Sequence, residues 1–284
     1  MSGESVLRRQ SKGRSRWWKA PAHLDERARA ELGRFMDGFR KIAGSDLTHY
    51  KPVQVYERAR ARAQRFRLTD LDDYCRLLEG SPQERAAFLD SLTPNVSEFF
   101  RDPSCWAWLA EHVLPGLLGA GRALKLWSAG CASGAEAYSL AMLLEDLSPG
   151  VPHFLLATDV DRQVLNCAAE GIYCSHDLRY VPRQYRDWLL PCEEGLAVAP
   201  GIRRRVTFAP HDLLADPFEE DFDFIACRNV LIYFSDDAKN RIYERFSAAL
   251  ALGGVLFLGL AERLRDPSAF GFVELHPGFY QRTE

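Results

Sequence analysis

Between positions 23 and 92 the apolar residues recur at three- and four-residue spacing, and no alternating run interrupts them. This spacing predicts helices over 25–43, 51–66, 71–78 and 82–91, with Asp72 and Ser81 as caps for the last two. The segment Thr93-Pro94-Asn95-Val96-Ser97-Glu98 reads as a turn that leads into an aromatic helix through Trp106, Trp108 and Leu109. From position 124 the pattern changes, and short apolar runs alternate with amphipathic stretches. Strands are predicted at 124–127, 154–157, 206–208, 222–227 and 255–258. A closing hairpin is predicted from 272–275 and 278–281, split by His276-Pro277. Strand–helix alternation of this kind builds a mostly parallel sheet covered by helices. Residues 181–205, which hold Pro182, Pro191, Pro200 and Gly201, match neither period and read as an insertion. The expected fold class is therefore α/β: a small all-helical N-terminal domain (22–92), a linker and helix (93–123), and a doubly wound sheet domain (124–284) with a small insert. No internal repeat is visible.

Composition adds little until charge is resolved along the chain. The 284 residues are 47% hydrophobic and 26% charged, ordinary for a globular protein. No apolar run approaches the ~20 residues that a membrane helix needs, so membrane insertion is not expected. Residues 1–21 are basic, polar and aperiodic; they lack the apolar core of a secretory signal and are expected to be a disordered tail. The net charge of −3 conceals a strong asymmetry. Residues 1–67 hold 17 Lys/Arg against 7 Asp/Glu, and the remainder holds 19 against 32. On the helix over 51–66, Arg58, Arg62 and Arg65 fall on one arc, and Val55, Ala59, Ala63 and Phe66 occupy another. One face buries while its neighbour offers guanidinium groups to an acidic partner or to plain solvent. The seven cysteines lack a C-x-x-C pair, and all but Cys192 sit in apolar helical or strand-like context. Reduced thiols, a cytoplasmic location and no metal site are the expectation.

The stretch LKLWSAGCASGAEAYS at 124–139 is the most informative chemistry. It reads as a strand, a turn of small residues and a helix opening on Glu136, and the next strand ends on Asp159. Small residues let the backbone approach a ligand, and an acid at the following strand tip can hold ribose hydroxyls. The turn lacks G-x-G-x-x-G, and Glu136 would repel a pyrophosphate seated at that helix start. The ligand should carry an adenosine, no phosphates and a cation, as S-adenosylmethionine does. Asp159 could instead cap the helix beginning near Asp161.

Several motifs in register extend this reading: THYKPVQVYERARAR (48–62), LTPNVSEFFRD (92–102), LWSAGCASGAEAYS (126–139), ATDVD (157–161), GIYCSHDLRYVP (171–182) and CRNVLIYF (227–234). Over roughly 47–282 the chain resembles the CheR family of chemotaxis receptor methyltransferases. The resemblance implies a helical N-terminal domain and a Rossmann-like S-adenosylmethionine-dependent methyltransferase domain, with a small inserted β-subdomain at about 181–205. It implies O-methylation of glutamates on chemoreceptor signalling helices, with S-adenosylhomocysteine as product. Cofactor contacts would map onto Asn95, Ser97, Arg101, Glu136, Asp159, Asp212, Leu213, Arg228 and Asn229. Arg101 and Tyr233 would position the acceptor carboxylate. Arg58, Arg62 and Arg65 would meet the acidic receptor helices, and the chain would act as a monomer.

The match is not complete. The family's G-E-E-P-Y-S is Gly134-Ala135-Glu136-Ala137-Tyr138-Ser139 here, its usual Asn is Asp212, and its G-H-S-E is Gly259-Leu260-Ala261-Glu262. Two other readings stand beside the enzyme. One is a cofactor-binding regulatory paralogue with weak or lost turnover. The other is a nucleic-acid methyltransferase, disfavoured because Arg228-Asn229-Val230-Leu231 replaces the Asn/Asp-Pro-Pro-aromatic motif of such enzymes.

Overall fold

The structure, a computed structural model, describes residues 24–44, 46–93, 97–119 and 121–283. The expected basic tail (1–21) and Asn95 lie outside the described residues. The chain divides into two compact units, Met1–Leu92 and Thr93–Glu284.

In the first unit four helices follow the predicted periodicity: α1 (Glu26–Ala43), α2 (Pro52–Arg65), α3 (Leu71–Gly80) and α4 (Pro82–Leu92). Asp25 accepts a hydrogen bond from the Ala28 amide at the start of α1, and Gly44 ends it in a left-handed conformation. Ser81 accepts from the Glu84 amide at the start of α4, as expected. Asp72 does not cap α3. Asp70 does, accepting from the Asp73 amide at 2.8 Å, while Asp72 receives both the Nε and the Nη2 of Arg34. Both acids satisfy the composition rule, and only the phase of the helix distinguishes them. Phe35, Phe39, Tyr74 and Phe88 fill the centre of this unit, with Phe35 edge-on to Phe88 at 5.4 Å.

The second unit opens with α5 (Pro103–Trp108), one π-helical turn at Leu109–Val113 and α6 (Leu114–Leu118). The aromatic helix expected through Trp106, Trp108 and Leu109 is thus present, and it widens at Leu109. Pro115 carries no amide hydrogen to donate back to Glu111, which agrees with the ladder widening at this point. There follow β1 (Lys125–Ala129), α7 (Ala135–Leu147), β2 (Phe154–Asp159), α8 (Arg162–Glu170), β3 (Ile172–Tyr173), β4 (Leu189–Cys192), β5 (Gly195–Val198) and α9 (Pro200–Arg203). The chain ends with β6 (Val206–Pro210), β7 (Phe222–Cys227), α10 (Asp236–Ala249), β8 (Leu250–Leu258), β9 (Phe272–His276) and β10 (Phe279–Arg282).

The main sheet runs β6-β2-β1-β7-β8-β10-β9. The first five strands are parallel, and β10 is antiparallel to both β8 and β9. The chain moves outward from β1 through β2 to β6, then returns to the other side of β1 with β7. The order therefore reverses between β1 and β7, and the crevice at their carboxyl ends is where open α/β sheets receive ligands. β7 is buried along its whole length, as a central strand covered on both faces must be. Trp127 on β1 is fully buried and donates its indole hydrogen to Thr158 Oγ1 at 2.8 Å.

The insertion is a three-stranded antiparallel sheet, β3-β5-β4. Its first strand precedes position 181; two residues of β3 are too few to show a period. Cys192, the one cysteine not expected in helical or strand-like context, closes β4 as an exposed thiol; Cys167 and Cys174 are exposed free thiols as well, although their context is apolar.

Candidate active site

The turn between β1 and α7 is held by backbone geometry. Gly130 and Cys131 both donate to the Thr158 carbonyl, at 2.7 and 2.8 Å. Gly130, Ala132 and Gly134 have φ of 76°, 46° and 84°. A Cβ on Gly134 would stand 2.9 Å from Ala168 Cβ and 3.1 Å from the Phe208 ring, so glycine is required there for close packing as well as for its positive φ.

Glu136 lies in the first turn of α7 and is buried. Its Oε1 accepts from Ser128 Oγ at 2.8 Å, and its Oε2 lies 3.6 Å from Arg228 Nη1. Burial raises its pKa, against the opposing pull of Arg228 and Ser128. Ser97 accepts from the Glu136 amide at 3.3 Å, supplying a cap from outside the helix. One residue turn further on, the Phe100 amide donates to Ser139 Oγ at 3.0 Å, which ties the linker to α7 a second time. Phe99 and Phe100 anchor the linker by packing on Tyr173 and Tyr185 of the insertion, at 4.7 and 5.2 Å.

Arg228 follows β7 and is buried, its side chain only 2% exposed. Nη2 donates to the Arg101 carbonyl at 2.9 Å and to Asp102 Oδ2 at 2.7 Å, and the guanidinium stacks 4.6 Å from the Phe257 ring centre. Expected as a cofactor contact, Arg228 thus spends its charge on the linker and on Glu136, and its buried Nε has no partner among the described residues. The Arg101 side chain is half-exposed and has no ion-pair partner among the described residues.

At the tip of β2, Asp159 accepts from the Ala132 amide through Oδ2 (2.9 Å) and from the Asp161 amide through Oδ1 (3.0 Å). Asp161 caps α8, accepting from Gln163 and Val164, so Asp159 is not that helix's cap. Burial pushes the Asp159 carboxyl up despite these amides. The neighbouring β6 leads into Asp212, which accepts from the Leu214 amide at 2.8 Å, and into buried Leu213. The His211 amide donates to the Asp159 carbonyl at 2.9 Å, which brings these residues to the same edge.

Beyond β7, Asn229 has a φ of 61°, and its Oδ1 is buried with no partner among the described residues. Tyr233 ends a single 3-10 turn, Leu231–Tyr233, and is half-buried. The residue that sequence reasoning missed is Glu262, whose carboxylate accepts from the amides of Asn229 (2.6 Å), Leu231 (2.6 Å), Ile232 (3.2 Å) and Gly259 (2.9 Å). Its place in the G-L-A-E motif was a signal, but bonds to backbone groups 33 residues away leave no trace in side-chain chemistry.

The edge thus holds buried carboxylates at Glu136 and Asp159 and an unpaired buried acceptor on Asn229, beside a small-residue turn. These suit an adenosine ligand whose ribose hydroxyls and ammonium group are all donors. Among the described residues no cluster of His, Cys, Asp or Glu is arranged to hold a metal.

In the helical unit, Arg58 and Arg65 are exposed on α2. Arg62 is engaged differently: its Nε and Nη2 donate to Glu84 at 2.6 Å each, and Tyr74 donates to the same carboxylate at 2.7 Å. The outward positive charge of this face therefore rests on Arg58 and Arg65.

Comparison with known proteins agrees with this geometry. Residues 95–279 match the CheR methyltransferase SAM binding domain, and residues 30–93 match the CheR methyltransferase all-alpha domain. The chain belongs to the CheR methyltransferase family. It is 37% identical over 244 residues to a chemotaxis protein methyltransferase of Listeria monocytogenes, covering 84% of this chain and 92% of that one. It is 35% identical over 256 residues to a probable chemotaxis protein methyltransferase of Rhizobium etli (85% and 95% covered). It is 35% identical over 231 residues to the chemotaxis protein methyltransferase of Escherichia coli K12 (78% and 79%). The protein is accordingly an S-adenosylmethionine-dependent methyltransferase of the CheR type. No described helix is long and apolar enough to cross a membrane.

Proposed function

We propose that this enzyme methylates glutamate side chains on the acidic signalling helices of chemoreceptors, producing the methyl ester and S-adenosylhomocysteine. The observation that carries this reading is Arg101: a cation without an ion-pair partner among the described residues, on a linker tied to an edge that holds the buried acids Glu136 and Asp159, whereas the charge of Arg228 is already committed to Asp102 and Glu136. An acceptor that enters such an edge as an anion needs a positive group, and a guanidinium can hold a carboxylate through two parallel hydrogen bonds. The names of the relatives point the same way.

When bound, the cofactor supplies an electrophilic methyl on a sulfonium. The protein's part is then to bind, orient and dehydrate. Glu136 would take the ligand's ammonium, Asp159 the ribose hydroxyls, and Asp212 with Leu213 the adenine edge. Arg101 and Tyr233 would align the glutamate oxygen with the methyl carbon. Methyl transfer would unite the carboxylate's negative charge with the sulfonium's positive one, giving a neutral ester and a neutral thioether, so Arg101 and Tyr233 would only hold and orient the acceptor. A glutamate is already ionised near pH 7, so no general base is required. Alignment of two reactants can supply about 7–11 kcal/mol of the barrier.

Arg58 and Arg65 would steer the acidic receptor helix and set its register. The double charge reversal Arg58→Glu/Arg65→Glu is expected to lower methylation of a receptor cytoplasmic domain about tenfold or more at low salt, with the deficit shrinking as salt screens the contact. Calorimetry should show unchanged S-adenosylhomocysteine affinity. Unchanged receptor methylation would remove α2 from the substrate surface.

A further inference from the structure

Glu262 stands outside every role assigned above, yet it organises the loop that carries two of them. Each of its oxygens receives two amide hydrogens: Oε2 from Asn229 and Gly259, Oε1 from Leu231 and Ile232. It is 5% exposed, and a carboxylate buried to this degree persists only where such donors compensate it. The two strand tips it joins are that of β7, which borders the switch point, and that of its parallel neighbour β8.

Two local features show that the arrangement is built around this carboxylate. A Cβ on Gly259 would lie 2.5 Å from Glu262 Oε2 and 3.1 Å from the Asn229 amide nitrogen, so the turn has room only for glycine. Asn229 is held at a φ of 61°, sparsely populated by residues with side chains, and its amide hydrogen is committed to Glu262. Strain of this kind persists only where its surroundings over-determine it. The outcome is a buried Asn229 Oδ1 left without a partner among the described residues, and a 3-10 turn that ends on Tyr233.

We infer that Glu262 is a positioning residue for methyl transfer, fixing the Asn229 backbone so that its carboxamide oxygen meets a donor of the cofactor, and fixing the Leu231–Tyr233 turn. This rests on the methyltransferase reading of the site and adds to it a residue that need not touch either reactant.

The test is Glu262→Gln. The carboxamide keeps the shape but presents an NH2 group to two of the four amide hydrogens whichever way it is turned. S-adenosylhomocysteine binding by calorimetry is expected to weaken about tenfold, in line with the cost of leaving buried donors unpaired. The companion measurement is a double-mutant cycle with Asn229→Ala. If Glu262 acts through Asn229, Glu262→Gln adds little to the cofactor-affinity loss already present in Asn229→Ala. Asp223→Asn provides the control for lost stability. It removes the charge that pairs with Arg122 at the opposite end of β7 and turns an NH2 group toward Arg122 or the Lys125 amide, and should lower the melting temperature while leaving cofactor affinity unchanged. Wild-type affinity in Glu262→Gln, or a fully additive cycle, overturns the inference. Failure of the wild-type protein itself to bind S-adenosylhomocysteine would instead overturn the underlying site.

Discussion

Replacing Arg228 by methionine removes a buried cation that joins the linker, α7 and the end of β7. The side chain retains its stem against Phe257 and Trp106, so the loss is mainly of charge and of the bonds to Asp102, the Arg101 carbonyl and Glu136. Removing one partner of a buried pair costs about 3–5 kcal/mol, because the other charge remains desolvated. Asp102 is 36% exposed and can recover water, so the lower end, about 3 kcal/mol, is the appropriate figure. In a unit of this size that corresponds to a melting-temperature loss of about 6–12 °C. The loss should depend on pH in a definite sense. Burial already raises the Glu136 carboxyl, and Arg228 restrains that rise. Without Arg228 the folded pKa rises further above the unfolded value, near 4.3. A group raised in this way favours the folded state fully below its unfolded pKa, and that contribution is lost as pH rises through the folded pKa. The deficit of Arg228→Met relative to wild type should therefore be smaller at pH 5 than at pH 8. Thermal unfolding followed by circular dichroism at both values measures it. An equal deficit at the two pH values, or a larger one at pH 5, would refute the coupling between Arg228 and Glu136.

Asp159 and the Arg62–Glu84 pair give two further expected outcomes. Asp159→Asn turns an NH2 group toward the Ala132 or Asp161 amide and removes a charged acceptor; S-adenosylhomocysteine affinity should fall about tenfold or more by calorimetry, against no change if Asp159 faces only the protein. Arg62→Met leaves Glu84 buried beside Tyr74 and should destabilise the helical unit by about 3 kcal/mol at pH 7. Burial alone would raise the Glu84 carboxyl, but the bonds from Arg62 and Tyr74 outweigh it and hold the pKa below its ordinary value. The pair therefore contributes above the unfolded pKa and fades as pH falls through the lowered one, so the deficit should narrow in urea titrations near pH 3.5.

The fold was legible where burial imposes a period. The strands of the parallel core are apolar runs bounded by turns, and the helices of the first unit keep a regular apolar stripe, so both could be placed to within a few residues. What escaped were features decided by long-range backbone bonding. β3 has two residues and exists because β5 pairs with it. β8 begins at Leu250 rather than 255 because its early residues cross a register shift against β7, which Ala251-Leu252-Gly253-Gly254 does not advertise. The site divides along the same line. Glu136 and Asp159 could be chosen from their position after a strand, and the structure brings both to one edge. The direction in which Arg228 points, the commitment of Arg62 to Glu84 and three of the four amides on Glu262 depend on partners 22 to 127 residues away. A sequence shows which residues can bond, but the partner each one meets is set by packing.

The central claim is methyl transfer onto a receptor carboxylate, and the most direct measurement follows the methyl group itself. The protein is incubated with methyl-labelled S-adenosylmethionine and a chemoreceptor cytoplasmic domain, and the protein fraction is then treated with alkali. A glutamyl methyl ester releases volatile labelled methanol under these conditions, in proportion to enzyme and time, and release is lost when the receptor glutamates are replaced by alanine. Cofactor binding with no alkali-labile label on the receptor would contradict the account.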